Sequence, residues 1–380
     1  MKRIQLLGAS GSIGTQVLEI VEEFPEQFSL QAVTAKSSVK TVLEILSRHD
    51  VEMVSMAEEH EETIKRAYPD IKFYALEKGG LETIAASEDE AVVLNALVGS
   101  VGLAPTLRAI ERNKDVLLAN KETLVVGGSL IREALKASES SLIPIDSEHA
   151  ALRECLRGSD VEDVEKLVIT ASGGSFRDLD KKALENVTKE DALKHPNWVM
   201  GAKITIDSAT MMNKVFEIIE AHYLFDMPYE NIEAVLHKES VVHGLVQFKD
   251  GNVLAHMGPS DMRIPILAAL QGAKRMSFPT LFDLTSVGTL HFEAIDGERY
   301  SLFDLGLAVA KQGGLHVVTL NAANEVAVRL FLEDKISFLE IETLIKRALD
   351  HFQNDNHLTL DKILEHDQRV REYIRNIVSR

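Results

Sequence analysis

Several stretches of this 380-residue chain combine side chains suited to holding a cation or an anion. Asp146-Ser147-Glu148 follows the apolar run Leu142–Ile145, which reads as a strand. If the chain stays extended there, Asp146 and Glu148 face the same way and present oxygens to one point. Exposed loop acids give the same pattern. A second cluster runs from Asp207 to Glu217, where Asp207 or Ser208 reads as the N-cap of a helix over 208–224. On that helix Asn213, Lys214 and Glu217 share one face, by spacings of three and four. An ordinary Lys–Glu helix pair would look the same. Asp146, Glu148 and Glu217, without a thiol or a clustered histidine set beside them, favour a hard divalent cation, Mg²⁺ or Mn²⁺.

Thr170-Ala171-Ser172-Gly173-Gly174-Ser175-Phe176-Arg177 ends a strand in small hydrogen-bonding residues. It reads either as a plain loop or as one that wraps a phosphate with the Ser172 hydroxyl and backbone N–H groups. His195-Pro196-Asn197-Trp198-Val199-Met200-Gly201 holds the only tryptophan in the chain. A lone tryptophan is most often core, but between Pro196 and Gly201 it also suits a lid over a small ligand.

Near the N-terminus, Gly8, Gly11 and Gly14 lie between a strand, Ile4–Leu7, and a helix marked by Ile13, Val17, Leu18, Val21 and Phe24. In that setting the glycines let the backbone approach a pyrophosphate at a helix N-terminus. The spacing is G-x-x-G-x-x-G, less specific than G-x-G-x-x-G. An NAD enzyme carries Asp or Glu at the end of the second strand for the ribose hydroxyl. Here Ala35-Lys36-Ser37-Ser38 stands instead, which suits a 2′-phosphate and favours NADP.

These groups need a scaffold. Up to about residue 146, apolar runs at 30–34, 51–56, 71–76, 91–98, 116–119 and 142–145 alternate with helical periodicity, predicting a Rossmann-like α/β domain over 1–146. From there strands are predicted at 166–170, 232–237, 241–248 and 253–257, with a hairpin at Lys249-Asp250-Gly251-Asn252 and helices over 180–194 and 208–224. That is an α+β catalytic domain, 147–271. Residues 272–298, with Pro279, Gly288 and Gly297, read as a linker, and 299–380 as a C-terminal helical bundle. The formal net charge of −18 argues against nucleic acid and anionic membranes as partners. Cys155, the only cysteine, excludes an internal disulfide and reads as a buried helix position. No run approaches the roughly 20 apolar residues of a membrane span, nor does the N-terminus read as a signal peptide, so a cytoplasmic protein is expected.

Taken together, LGASGSIG, LLANKETLV, PIDSEHAA, TASGGSFR, HPNWVMGAKITIDSATMMNK and LNAANEVAV resemble the 1-deoxy-D-xylulose 5-phosphate reductoisomerase family, in its order and over nearly the whole chain. A mild departure is Ala171, where glycine is common in the family; it removes no required donor. The resemblance implies a V-shaped homodimer that isomerises and reduces a sugar phosphate with NADPH and one Mg²⁺ or Mn²⁺. It implies Asp146, Glu148 and Glu217 as metal ligands, and Lys121 near the nicotinamide and the metal. It implies Ser172, Ser208, Asn213 and Lys214 at the phosphate, His195 beside them, Ser147 on the substrate backbone, and Trp198 and Met200 on a flap. Glu148 and Glu217 would touch substrate as well. The cofactor would meet Gly8, Ala9, Ser10, Gly11, Ser12, Ile13, Ala35, Lys36, Ser37, Asn120, Lys121, Glu122 and Gly201. Two rivals remain at this point. A semialdehyde dehydrogenase would need a thiol nucleophile, which Cys155 in an apolar helix does not offer. A catalytically silent NADP-binding sensor would not need the intact carboxylates, lysine and flap.

Overall fold

In the computed structural model, which describes residues 1–88, 90–272, 274–277 and 282–379, the predicted alternation becomes one parallel sheet. In chain order the elements are β1 (Lys2–Leu7), α1 (Ser12–Glu23), β2 (Phe28–Thr34), α2 (Val39–Arg48), β3 (Met53–Met56) and α3 (Glu61–Ala67). Then come β4 (Lys72–Ala75), α4 (Gly80–Ala85), β5 (Val92–Asn95), α5 (Leu103–Glu111), β6 (Val116–Leu118), α6 (Glu122–Lys136) and β7 (Leu142–Pro144). The strand order is β4-β3-β2-β1-β5-β6-β7. β1 is central and apolar, with Ile4, Leu6 and Leu7 buried, as a strand covered on both faces must be. The chain reverses direction across the sheet at β1, so the loops after β1 and β2 open at the carboxyl edge where such sheets bind nucleotides.

The second part begins with α7 (Ser147–Cys155), β8 (Val164–Ala171), α8 (Lys189–Ala192), α9 (Ala202–Thr210) and α10 (Met212–Phe225). It continues through β9 (Ile232–Leu236), β10 (Val242–Phe248) and β11 (Val253–Met257). The β10–β11 hairpin turns where predicted, with Gly251 at φ 88°. Then α11 (Arg263–Gln271), α12 (Leu284–Val287) and β12 (Glu293–Ala294) lead to α13 (Ser301–Gln312), α14 (Leu315–Leu332), α15 (Phe338–His351) and α16 (Leu360–Val378). The second sheet runs β11-β10-β8-β9-β12. The C-terminal helices pack chiefly through α14, which is buried along most of its length.

The chain divides into two units: Met1–Thr123, Ser129–Asp146 and Asp261–Phe278 form one; Leu124–Gly128, Ser147–Ser260 and Pro279–Arg380 form the other. This corrects the expected span of 147–271. Helix α11 buries Ile266, Leu267, Ala269 and Leu270 in the core of the first unit, and Lys2 Nζ donates to the Leu270 carbonyl at 2.6 Å. The helix expected over 180–194 is a single 3₁₀ turn, Ala183–Asn186, followed by the short α8, capped by a Thr188–Asp191 capping box. The stretch 272–298 is not a bare linker: it contains α12, and β12 pairs with β9. Its residues 273 and 278–281, Pro279 included, lie outside the described residues. Among the described residues no helix is long and apolar enough to cross a membrane.

Candidate active site

In the first unit the glycine turn is shaped for a close-lying ligand. Gly8 has φ 92°, and a Cβ there would lie 2.6 Å from the Ala96 carbonyl oxygen. A Cβ on Gly14 would meet the Gly8 carbonyl oxygen at 2.3 Å, so α1 sits directly on the turn. Gly11 is the N-cap of α1, with Ser12 and Ile13 in its first turn and no acidic residue there to oppose an anion. Ala9 donates its N–H to the Thr34 carbonyl at 2.8 Å, tying the turn, which also holds Ser10, to the end of β2. There Ala35 is buried, Lys36 and Ser37 are exposed, and residues 32–38 include no acid. These are the surroundings a phosphate-bearing dinucleotide needs.

Across β5 and β6, Asn120 is buried and donates to the Gly99 carbonyl at 3.0 Å and to Glu122 Oε2 at 2.9 Å. Those bonds hold the turn in which Lys121 caps α6. Lys121 is almost fully buried, and its Nζ meets Asp146 Oδ2 at 2.5 Å.

In the second unit Lys214 is the hub. It lies 4% exposed, 3.0 Å from Glu148 Oε1 and in direct contact with Glu217 Oε2. One oxygen of Glu148 and one of Glu217 lie within 4.8 Å of each other. Burial lowers the ammonium's proton affinity, but Glu148 and Glu217 more than reverse this, so its pKa stands above the ordinary lysine value. Asn213 Nδ2 donates to Glu217 Oε1 at 2.5 Å, confirming that Asn213, Lys214 and Glu217 share one helix face. Ser147 Oγ donates to Glu148 Oε2.

Two expectations about these residues were wrong in detail. Ser147 and Glu148 are not extended: they open α7, where residues two apart point to different sides. What brings Glu148 to Glu217 is the packing of α7 on α10. His149 Nε2 donates to the Glu217 carbonyl oxygen at 2.8 Å, and its Nδ1 lies 3.3 Å from Glu220 Oε2. Nor is Asp207 or Ser208 an N-cap. Both lie inside α9, and the helix expected over 208–224 is broken at Met211, which takes φ 65°. The break restarts the chain as α10, so Asn213 and Lys214 fall in its first turn, at the positive end of the helix dipole, where the Met212 N–H donates to Thr210 Oγ1 at 3.3 Å and the Lys214 N–H to the Met211 carbonyl at 3.1 Å.

The glycine loop brings Ser172, Ser208 and His195 near one another. Gly173 and Gly174 are both left-handed, and a Cβ on Gly174 would lie 2.5 Å from Ala209 Cα. The loop therefore rests on the last turn of α9, beside Ser208. His195 Nδ1 accepts the N–H groups of Asn197 at 3.2 Å and Trp198 at 2.9 Å. Its proton must then sit on Nε2, which donates to Ser172 Oγ at 2.9 Å. Gly174 N–H also donates to Ser172 Oγ, at 3.2 Å. With its oxygen accepting twice, the Ser172 hydroxyl proton is left to donate to a further acceptor. Burial, with help from the Arg177 charge, pushes the His195 pKa down to about 4, so the ring is neutral near pH 7.

Trp198 is partly buried, with its ring edge-on to His243 at 5.9 Å. Val199 beside it is fully exposed, Met200 is partly exposed, and Gly201 caps α9. The sequence reading did not single out Arg177, which donates to Asn197 Oδ1 and to the Lys238 carbonyl, each at 2.9 Å. It thereby ties the tryptophan loop to the glycine loop. The basic residue closing TASGGSFR was the available signal.

The fold and these groups define an oxidoreductase of the Rossmann class that carries a separate unit rich in anion donors and buried carboxylates. Family models for 1-deoxy-D-xylulose 5-phosphate reductoisomerase match residues 4–128, its C-terminal domain model 142–225, and a further DXP reductoisomerase C-terminal domain model 257–373. The enzyme of that name from Geobacillus sp. (strain WCH70) is 47% identical over the full length of both chains. That of Bacillus cereus (strain Q1) is 46% identical, over 98% of this chain and 99% of its own. A crystal structure of DOX-P reductoisomerase with NADPH, fosmidomycin and magnesium superposes with a TM-score of 0.94 at 36% identity, covering 100% of this chain and 98% of the other. The Zymomonas mobilis reductoisomerase with NADPH gives 0.91 at 36%, covering 99% of each. The chain belongs to the 1-deoxy-D-xylulose 5-phosphate reductoisomerase family.

Proposed function

We propose that the chain rearranges 1-deoxy-D-xylulose 5-phosphate and reduces the product with NADPH to 2-C-methyl-D-erythritol 4-phosphate, in the non-mevalonate route to isoprenoid precursors. The observation that carries the reading is that one buried lysine, Lys214, joins the carboxylates of Glu148 and Glu217. Oxygen-only donors at Glu148 and Glu217, with Asp146 two residues earlier in the chain, fit a hard divalent cation. When bound, that cation supplies Lewis-acid stabilisation of charge on the substrate's carbonyl and hydroxyl oxygens. The turn at Gly8 and the acid-free end of β2 fit NADPH, the hydride source.

The chain's own residues do the rest. Ser172 Oγ–H, Ser208, Asn213 and Lys214 hold the phosphate, with His195 fixing the direction of the Ser172 proton. A phosphate anchored away from the reacting carbons supplies binding energy for orientation. Ser147 and Glu148 position the sugar backbone. Lys121, steered by Asp146, presents its ammonium to the substrate oxygens. The loop bearing Trp198 and Met200 excludes water and retains the fragments of a retro-aldol cleavage until they rejoin.

We further propose a cytoplasmic homodimer. The edge strand β11 leaves Val253 and Leu254 about half exposed, and an open apolar edge is stabilised by pairing with a second copy. Turnover is tested by loss of NADPH absorbance with 1-deoxy-D-xylulose 5-phosphate and Mg²⁺. Absence of turnover with both cofactors bound would overturn the reading.

A further inference from the structure

The C-terminal motif LNAANEVAV has no part in the chemistry above. It lies on α14, and it buries two asparagines completely, Asn321 and Asn324. Asn324 Nδ2 donates to Asp207 Oδ1 at 2.8 Å, across 117 residues of chain. The other Asp207 oxygen accepts from Lys203 Nζ at 2.8 Å. Asp207 is itself 2% exposed. The amide cannot be turned round, because its oxygen would then face the carboxylate. So held, Asn324 Oδ1 has no partner among the described residues. A buried amide left half satisfied is a poor way to glue two helices; two apolar residues of the same size would hold α9 to α14 at less cost. What the polar pair adds is direction.

That direction bears on the phosphate donors. Asp207 immediately precedes Ser208 on the last turn of α9, and the Asp207 carbonyl accepts from Thr210 Oγ at 3.2 Å. The Ser208 carbonyl accepts the Met211 N–H at 3.2 Å, setting the left-handed break that starts α10 at Asn213 and Lys214. Gly174 presses on the same turn at Ser208 and Ala209. The turn is thus held between the glycine loop and α14. On α14, Asn321 Nδ2 donates to Glu325 Oε1 at 2.9 Å, and Glu325 Oε2 accepts from Arg371 of α16 at 2.8 Å, so the anchoring helix is itself fixed.

We propose that Asn324 is a positioning residue for the phosphate site: through Asp207 it sets the last turn of α9, and with it Ser208 and the start of α10. The inference rests on reading Ser208, Asn213 and Lys214 as phosphate donors. The test uses the full chain with NADPH and Mg²⁺, and inorganic phosphate as a competitive probe. Asn324→Leu should raise both the KM for the sugar phosphate and the inhibition constant of inorganic phosphate about tenfold, as expected for loss of one charge-assisted anchor. The KM for NADPH should stay within about twofold. The double variant Asp207→Asn/Asn324→Asp, which reverses donor and acceptor, should recover much of the loss in phosphate inhibition relative to Asn324→Asp alone. If Asn324→Leu does not fold, Asn324→Ser, which keeps a donor but shortens it, is measured in the same way. A fall in melting temperature with unchanged KM and phosphate inhibition would overturn the inference and leave Asn324 a packing residue. Ser208→Ala separates the two layers. If it too leaves phosphate inhibition unchanged, the phosphate-site reading fails; if it raises the constant while the Asn324 variants do not, the positioning role alone fails.

Discussion

Glu217→Gln separates the two duties of the most buried carboxylate at the site. Glu217 is 1% exposed and accepts from Lys214 on Oε2 and from Asn213 on Oε1. Glutamine keeps one acceptor for Lys214, and its NH₂ bonds Asn213 only if the Asn213 amide turns round to offer Oδ1. Without a cation, two charge terms change. The Lys214–Glu217 attraction, at an ordinary contact of about 2.9 Å and an effective dielectric of about 20, is worth about 5.7 kcal/mol. The opposing Glu148–Glu217 repulsion, at no more than 4.8 Å, is at least about 3.5 kcal/mol on the same scale. The variant should therefore lose at most about 2 kcal/mol in the second unit, less than the ~3–5 kcal/mol of a fully orphaned buried charge, because Glu148 still neutralises Lys214. Added Mg²⁺ should widen the gap. At a hundredfold excess over its dissociation constant the wild type gains about 2.7 kcal/mol, which the variant largely forgoes. Urea unfolding followed by Trp198, which lies in the second unit, measures both numbers. Turnover at limiting Mg²⁺ should fall at least about a hundredfold, the loss of about 2.7 kcal/mol of transition-state stabilisation. NADPH titration should be unchanged. Near-wild-type turnover at limiting Mg²⁺, or a stability gap that ignores the cation, would refute the ligand assignment. Asp146→Asn and Glu148→Gln should share the kinetic result.

Cofactor choice should follow Lys36. NADPH is expected to exceed NADH by at least about a hundredfold in kcat/KM, since each lost charge-assisted phosphate contact costs about 1.5–3 kcal/mol and more than one is expected; equal use of NADH would defeat this. Trp198 emission should change when a phosphate-bearing analogue binds with Mg²⁺. Trp198→Ala should cost clearly less than the ~3–5 kcal/mol of a core tryptophan, because the ring is only partly buried; an unchanged spectrum with a large drop in denaturant midpoint would make it core. His195 should remain the neutral Nε2–H tautomer at pH 5.5, read from its ring ¹⁵N shifts. Its pKa is depressed on folding from 6.5 to about 4, so the unfolded chain binds the extra proton first. This contribution to stability is present above pH 6.5 and is lost as pH falls towards 4. An imidazolium signal at pH 5.5 would break the argument that the Ser172 proton is left for a further acceptor.

Sequence made some of this visible because local chemistry decides it. Gly8 and Gly14 could be read at once, since the space they leave is filled by backbone only a few ångströms away. The shared face of Asn213, Lys214 and Glu217 was equally plain, because three- and four-residue spacing needs only one helical turn. The break at Met211 was not. A methionine in the left-handed region carries no local preference for it, and only the seat of α9 against Gly174 and Asn324 makes it worthwhile. Glu148 shows a right grouping reached by a wrong route. Its distance to Glu217 is set by α7 lying on α10, not by the extended chain assumed after β7. Asn324 and Arg177 were silent for the same reason. Their meaning lies in partners brought near by tertiary packing, Asp207 for one and Asn197 for the other. Groups that touch ligand can be recognised by type and spacing, whereas groups that aim them act through contacts a linear pattern does not encode.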